Sequence, residues 1–142
     1  AMEGRFLGYT AIAISLNAHT PDNIPSAVSA ATTLLKKLDS FYQQDNMVLN
    51  VNVPDLPWSK IRGFMITRLG KRHKSKPAIR DTDPRGREIF WIGPVGDIDD
   101  AGEGTDFHAL EQGYISVTPL HSDLTHYQAL ETTGAWLEAV NQ

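Results

Sequence analysis

The sequence predicts an α/β fold, because strand-like and helix-like patterns alternate in its first part. The segment "TAIAISL" (10–16) is almost uniformly apolar, which is typical of a strand buried on both faces in a parallel sheet. A helical pattern follows, and "VLNVNVP" (48–54) then alternates apolar and polar residues as a strand does. Strand, helix and strand in this order form a βαβ unit. We therefore expect a partial Rossmann-like sheet.

The helix between these strands is predicted from apolar residues that recur at spacings of three and four. Asp22 or Asn23 would cap its N-terminus, and Pro25 is tolerated in the first turn. This periodicity predicts one apolar face that packs on the sheet. Its members are Ile24, Val28, Ala31, Leu34, Leu35, Leu38 and Phe41.

An antiparallel hairpin arm is predicted over residues 74–93, after a strand at 63–70. The segment "DPRG" (83–86) matches a type I turn with proline second and glycine fourth. Phe90 and Trp91 point to opposite faces, so at least one large aromatic leaves the inner side of the hairpin. An isolated hairpin is marginal in water. We therefore expect the arm to pack on something else, such as another subunit.

A short helix and a strand follow the arm. Thr105 can cap a helix over 106–112, with Asp106 in the first turn, where a carboxylate suits the helix dipole. Gly113 ends that helix, and 114–120 reads as a strand.

A terminal helix is expected at 126–140. Thr125 and Gln128 have the spacing of a capping box at its start. Its apolar members are Leu130, Trp136, Leu137 and Val140.

Composition and charge exclude several classes of protein. The chain has 142 residues, the length of one domain, with 41% hydrophobic and 21% charged residues, as in ordinary globular proteins. No apolar run approaches the roughly 20 residues that cross a bilayer, so we expect no membrane partner. Cysteine is absent, which excludes disulfides and thiolate metal sites and suits the cytoplasm. The net charge of −4 gives no broad attraction to nucleic acid.

The residues themselves assign no metal site. The stretch 97–108 fails as a calcium loop, because Ala101 replaces the fifth-position ligand and His108 replaces the bidentate glutamate. An acidic, solvated loop is the favoured interpretation. The five histidines show no HxH or HExxH spacing, and they are His19, His73, His108, His121 and His126.

The stretch "GEGTDF" (102–107) resembles half of a glycine-rich phosphate fingerprint, but its third glycine is missing and acidic residues crowd it. Gly104 and Thr105 still place backbone N–H groups at a helix N-terminus, which is an anion site in principle. A substrate-facing loop and plain helix capping both stay open, with capping favoured.

A run of basic residues could bind phosphates, nucleic acid or an acidic neighbour. No aromatic residues interleave it to stack bases, so a solvated base of the hairpin is favoured. Nucleic acid is therefore not an expected partner. The basic run comprises Arg68, Lys71, Arg72, His73, Lys74 and Lys76.

The sequence also offers no recognisable nucleophile. It contains no GxSxG motif and no serine beside a histidine and a carboxylate.

Several segments, in their order and spacing, resemble the SurE family of survival proteins. The resemblance covers essentially all 142 residues and is to the C-terminal part of the family. It implies a metal-dependent phosphomonoesterase that removes phosphate from nucleoside 5′- and 3′-monophosphates with Mg²⁺ or Mn²⁺. The segments are "AMEGRFLG" (1–8), "AIAISL" (11–16), "LNVNVPDLPW" (49–58), "TRLGKRH" (67–73), "DPRGREIFWIGP" (83–94) and "DAGEGTDFHALEQGYISVTPLHSDLT" (100–125).

The family's catalytic and metal-binding motifs lie upstream of the matching part. They are a paired-aspartate motif, a serine loop, an asparagine loop and a Ser-Gly-Thr turn that enters the helix continuing into "AMEGR" (1–5). The resemblance therefore implies that residues 1–142 form a C-terminal part without the N-terminal catalytic half. It implies no metal ligand and no catalytic residue here, and a chain that is inactive alone. We also expect it to expose apolar surface and aggregate, because the family's neighbours of strand 10–16 lie upstream.

The resemblance also implies roles for three elements of this chain. Gly104, Thr105 and Asp106 match a family loop near the catalytic cleft, so they are expected to lie close to substrate. The hairpin 74–93 and the helix 126–140 resemble elements that family members exchange between subunits, which implies a homodimer or homotetramer. The alternative is an oligomerisation module without catalytic activity of its own.

Overall fold

The fold is built on a four-stranded mixed sheet with the strand order β1 (Ala11–Asn17), β2 (Met47–Pro54), β8 (Ile115–His121) and β3 (Phe64–Ile66). The computed structural model describes residues 1–37 and 47–140. Strands β1 and β2 are parallel. Strand β8 is antiparallel to β2 and parallel to β3. The predicted α/β fold is confirmed.

Helices connect and cover these strands. Helix α2 runs between the parallel pair β1 and β2, as the βαβ pattern predicted. The predicted positions Leu38 and Phe41 lie outside the described residues. The described helices are α1 (Met2–Phe6), α2 (Ile24–Leu35), α3 (Asp106–Glu111) and α4 (Leu130–Val140), with 3₁₀-helices at Trp58–Lys60 and Tyr127–Ala129.

The start of α2 is held by a residue from the next loop. Asn23 is the N-cap, as one of the two predicted alternatives, but its side chain makes no capping hydrogen bond. Instead, the backbone N–H groups of Asp22 and Asn23 donate to the two carboxylate oxygens of Asp55, at 3.1 and 2.8 Å. These bonds, first the one from Asp22, lower the pKa of Asp55.

The two faces of the sheet differ in polarity, because residues paired across neighbouring strands share a face. On one face, α2 contributes Ala30 to an apolar cluster. That cluster contains Leu49, Val51, Val53 and Ile115, with Ile12 and Leu16 beside it. The opposite face carries Ser15 and Asn17 of β1, Asn50 and Asn52 of β2, and Ser116 and Thr118 of β8. We call this the polar face.

Strand β1 is not buried on both faces among the described residues, which agrees with the expectation that residues 1–142 alone expose apolar surface. Among the described strands, β1 lies at the edge of the sheet and pairs with β2 alone. Only Ala11 of β1 is buried, and Ile14 is 36% exposed. An edge strand also leaves one row of backbone N–H and C=O groups without a strand partner.

The predicted hairpin is confirmed, and its pairing extends beyond residues 74–93. Strands β5 (Ile79–Thr82) and β6 (Glu88–Trp91) are antiparallel, and Gly86 N donates to Asp83 O at 2.9 Å in the turn between them. Gly86 has a φ of +80°, which glycine adopts without a steric penalty. The pairing continues to β4 (Lys71–Arg72) and β7 (Ile98–Asp100). We call residues 71–100 the arm.

Two glycines allow the halves of the arm to approach closely. A Cβ atom at Gly93 would collide with the carbonyl oxygen of Lys76, and one at Gly96 would collide with that of His73. Backbone hydrogen bonds cross the same stretch, such as Lys76 N to Pro94 O at 3.0 Å. The two backbone segments of the arm therefore approach closely at Gly93 and Gly96.

The predicted capping box at Thr125 and Gln128 is wrong. The chain enters α4 through the 3₁₀-helix Tyr127–Ala129, whose N-cap, His126, makes no side-chain capping bond. Asp123 organises this turn instead, because its carboxylate accepts from Thr125 N at 2.8 Å and from Tyr127 Oη at 2.5 Å. In residues 1–37 and 47–140, no helix combines the length and apolar character that a membrane span requires.

Candidate functional site

The loop that enters α3 is held by Thr105. This residue is fully buried, and its hydroxyl donates to Gly102 O at 2.7 Å while its Oγ1 accepts from His108 N at 3.2 Å. Gly104, just before it, has a φ of +83°, which turns the chain into the helix. The predicted N-cap is confirmed, and the hydroxyl of Thr105 is engaged in holding the loop.

Asp106 ties the loop to the chain that leaves β3. Its Oδ1 accepts from Gly70 N at 2.8 Å and from Phe107 N at 3.0 Å. The backbones also exchange bonds, from Arg68 N to Gly104 O at 2.9 Å and from Asp106 N to Arg68 O at 3.0 Å. The predicted residues 104–106 are therefore fixed beside residues 68–70. Their contact with substrate stays a prediction.

The basic run faces an acidic stretch of the same chain. Arg68 Nη1 lies 2.6 Å from Asp100 Oδ2, and this bond lowers the pKa of Asp100 and raises that of Arg68. His73 Nε2 lies 3.6 Å from Asp99 Oδ1. These groups are partly or mostly exposed, so the pairs contribute little to stability. Arg68 and His73 thus have acidic neighbours, and residues 71–76 are exposed, as the favoured interpretation of a solvated hairpin base requires.

The divalent cation that the family resemblance implies does not fit the residues present. Throughout the part of the chain that the structure describes, no group of three or more His, Asp or Glu side chains is placed to hold a metal ion. Asp99 and Asp100 lie in the acidic loop, but each faces a basic side chain, and Asp106 binds backbone N–H groups. Carboxylates with such partners are poor starting points for a cation site.

Buried hydroxyl groups form a network on the polar face. Thr67 Oγ1 donates to Ser116 Oγ at 3.2 Å and lies 2.7 Å from Thr118 Oγ1. All three residues are buried, and α3 packs against β2 and β8. Because buried polar groups are costly unless they are hydrogen-bonded, this network makes a polar sheet face compatible with a covering helix.

A cavity of about 460 Å³ opens between α3, the end of β1 and the base of the arm. It includes Asn17, the last residue of β1, which belongs to the polar face. The guanidinium of Arg72 lies over the ring of Phe107, 4.9 Å from its centroid, and Nη1 donates to Gly96 O at 3.3 Å. The lining residues are Asn17, Arg72, Ile98, Ala101, Phe107, Leu110 and Glu111.

The position of this cavity makes it the candidate site. In open α/β sheets, ligands bind outside the carboxyl ends of the parallel strands, and Asn17 marks that end of β1. Phe107 directly follows the predicted residues 104–106, so the loop and the cavity adjoin.

Sequence reasoning missed most of the cavity residues. Asn17, Phe107 and Glu111 had no assigned role, and Arg72 was treated only as one member of the basic run. Phe107 and Glu111 are four residues apart, so they share one face of a helix, and that spacing was an available signal. No sequence signal placed the arm beside them.

Comparisons with known proteins show which family this chain is similar to. A family model described as survival protein SurE matches residues 1–76. A protein named 5′-nucleotidase SurE from Alkalilimnicola ehrlichii is 49% identical over 142 residues, which is all of this chain and 55% of the relative. Its counterpart from Xanthomonas oryzae pv. oryzae is 52% identical over 139 residues, 96% of this chain and 54% of the relative.

A solved structure is also similar. The crystal structure of the SurE protein from Aquifex aeolicus matches with a TM-score of 0.72 and 37% sequence identity. The match covers 97% of this chain and 55% of that chain. The present chain thus spans about half the length of the relatives it matches.

Proposed function

Since the chain belongs to the SurE family, we propose that the protein it forms part of is a metal-dependent phosphomonoesterase that hydrolyses nucleoside 5′- and 3′-monophosphates. The observation that carries this proposal is the 49% identity, over the whole chain, to a relative named 5′-nucleotidase SurE. A cytoplasmic location is part of the same proposal, because a chain without cysteine suits a reducing compartment.

The proposal places the catalytic and metal-binding residues in the part of the relatives that this chain does not span. Mg²⁺ or Mn²⁺ bound there would neutralise phosphate charge and activate the attacking group. This chain would contribute the sheet edge at β1 and the loop with Gly104, Thr105 and Asp106. That loop supports the proposal, because its hydrogen bonds to Arg68 and Gly70 hold it in one place beside the cavity.

The test uses the full-length protein. Purified enzyme should release inorganic phosphate from 5′-AMP and 3′-AMP when Mg²⁺ or Mn²⁺ is added, and EDTA should abolish the release. Active enzyme that hydrolyses phosphodiesters but no nucleoside monophosphate would contradict the proposed substrate class. Full activity after exhaustive chelation would contradict the metal requirement.

A second function, assembly into a homodimer or homotetramer, is favoured by the apolar side chains that the arm exposes. Phe90, in β6, and Ile92, just after it, are 62% and 93% exposed. Helix α4 presents a similar surface, with Leu130, Trp136, Leu137 and Val140 all exposed. Apolar surface of this kind marks interaction sites.

Sedimentation of full-length variants tests assembly. Deletion of residues 75–92, or the double change Phe90→Ser and Ile92→Ser, should shift the protein to a smaller species. Arg85→Ser, in the turn of the same arm, is the matched control and should keep the parent's sedimentation coefficient. An unchanged oligomer after the deletion would count against assembly through the arm.

A further inference from the structure

We propose that the cavity beside α3 receives the nucleoside of the substrate, with the base stacked against Arg72 and Phe107. This inference rests on the proposed nucleotidase function and adds the residues that would select the substrate.

The cavity lies at the sheet edge that this chain would contribute to the site under the proposed function. Asn17 places it at the carboxyl end of β1, the edge at which ligands bind in open α/β sheets. The adjoining loop 104–106 is hydrogen-bonded to the chain after β3 and is therefore a fixed wall. A volume of about 460 Å³ leaves room for a base and a ribose.

Two planar groups give the cavity a surface on which a base can stack. The guanidinium of Arg72 lies over the Phe107 ring and is anchored by its bond to Gly96 O. Arg72 is an exposed residue, although its hydrogen bond to Gly96 O is partly buried. Bases stack on aromatic rings and on guanidinium planes. The apolar residues Ile98, Ala101 and Leu110 complete the lining.

The charges of the lining favour an uncharged moiety over the phosphate. Arg72 is the one cation among the lining residues, and the carboxylate of Glu111 offsets it. That carboxylate accepts hydrogen bonds, which suits the N–H groups at the edge of a base, and the Asn17 amide both donates and accepts. A phosphate would meet a neutral cavity here, whereas a nucleoside finds stacking and polar partners.

The test compares two substrates that differ only in the base. For the full-length enzyme and its Phe107→Leu variant, kcat/KM is measured with 5′-AMP and with ribose 5-phosphate. Leucine keeps apolar volume in the wall but removes the ring. The kcat/KM for 5′-AMP divided by that for ribose 5-phosphate should fall about tenfold in Phe107→Leu, because the base loses its stacking partner. Both substrates falling together, or neither falling, would overturn the inference.

A surface variant guards against misfolding of Phe107→Leu. Glu111→Gln, at the exposed end of α3, should lower the same ratio about threefold. Glu103→Gln makes the same change of charge on an exposed residue outside the lining and should leave the ratio as it is. Equal effects of Glu111→Gln and Glu103→Gln would also overturn the inference. A full-length enzyme that hydrolyses neither substrate would instead contradict the proposed function itself.

Discussion

The sheet and the arm are stabilised in different ways. Val51, Val53 and Ile115 are fully buried between strands and α2, and burying one such side chain contributes about 1.5–3 kcal/mol. The arm exposes Phe90 and Ile92, and it is held by backbone pairing and by the partly exposed ion pairs Arg80–Glu88 and Asp83–Arg87. Exposed ion pairs contribute little. The contrast indicates that apolar burial stabilises the sheet, whereas backbone pairing stabilises the arm.

Truncation in the sheet should have the largest effect. Ile115→Ala removes a fully buried side chain and should lower the free energy of unfolding by about 2–5 kcal/mol, as measured by urea denaturation. Ile92→Ala is the matched change in the arm, where the side chain is 93% exposed, and should alter stability by less than about 0.5 kcal/mol. Equal losses of stability in the two variants would show that the sheet and the arm do not differ in this way.

A substitution at Gly93, where the two segments of the arm approach closely, should have the next largest effect on stability. Gly93→Ala places a Cβ against the carbonyl oxygen of Lys76, so the two halves must separate at a cost of about 1–3 kcal/mol. Amide hydrogen exchange should become faster in residues 71–100 and stay unchanged in β2. Gly134→Ala, where a Cβ meets no atom within 4 Å, is the control. Unchanged protection of the arm in Gly93→Ala would refute the close approach.

Loss of the α3 cap should have a smaller effect. Thr105→Ala removes both hydrogen bonds of the hydroxyl and should cost about 1 kcal/mol of stability in thermal unfolding. Thr105→Ser keeps the hydroxyl and should recover most of the loss. If serine and alanine are equally destabilising, the cap is not what holds the loop.

Loss of the hydrogen bonds in the turn before α4 should have the smallest effect on stability, and that effect should depend on pH. The hydrogen bond from Tyr127 Oη, followed by those from Thr125, lowers the pKa of Asp123 from 3.8 to about 2. Because the pKa is lower in the folded state, the contribution is complete above pH 3.8 and is lost as pH falls towards 2. Both side chains are exposed, so the change in stability is small.

Carboxyl titration by NMR checks this turn. In Tyr127→Phe, the pKa of Asp123 should rise back towards its ordinary value. Tyr9→Phe removes a hydroxyl from another exposed tyrosine and should leave that pKa unchanged. A low pKa that persists in Tyr127→Phe would show that the tyrosine does not cause it.

Local patterns predicted the fold well, and contacts between distant residues explain what they missed. The turn at 83–86 and the cap at Thr105 depend on a few adjacent residues, and both are confirmed. The N–H groups at the start of α2 are satisfied by Asp55, about 32 residues away, which no local pattern specifies. The edge position of β1 likewise depends on which strands are available to pair with it.

The candidate site was predicted only in part for the same reason. The resemblance to the SurE family pointed to Gly104, Thr105 and Asp106, whereas the local pattern alone favoured plain helix capping. The cavity joins Asn17, Arg72 and Glu111 from three separate segments. Its assembly requires the arm to fold back beside α3, a tertiary arrangement that composition and periodicity do not encode locally.

Under the proposed function, these residues are expected to provide a scaffold and a substrate-facing wall, while other residues hold the cation. The most direct measurement is phosphate release from 5′-AMP by the purified 142-residue chain with Mn²⁺ or Mg²⁺, beside the full-length protein at equal concentration. Circular dichroism first establishes that the chain is folded. The account predicts release by the full-length protein and none above the EDTA background for the chain alone. Metal-dependent release by the 142 residues on their own would contradict it.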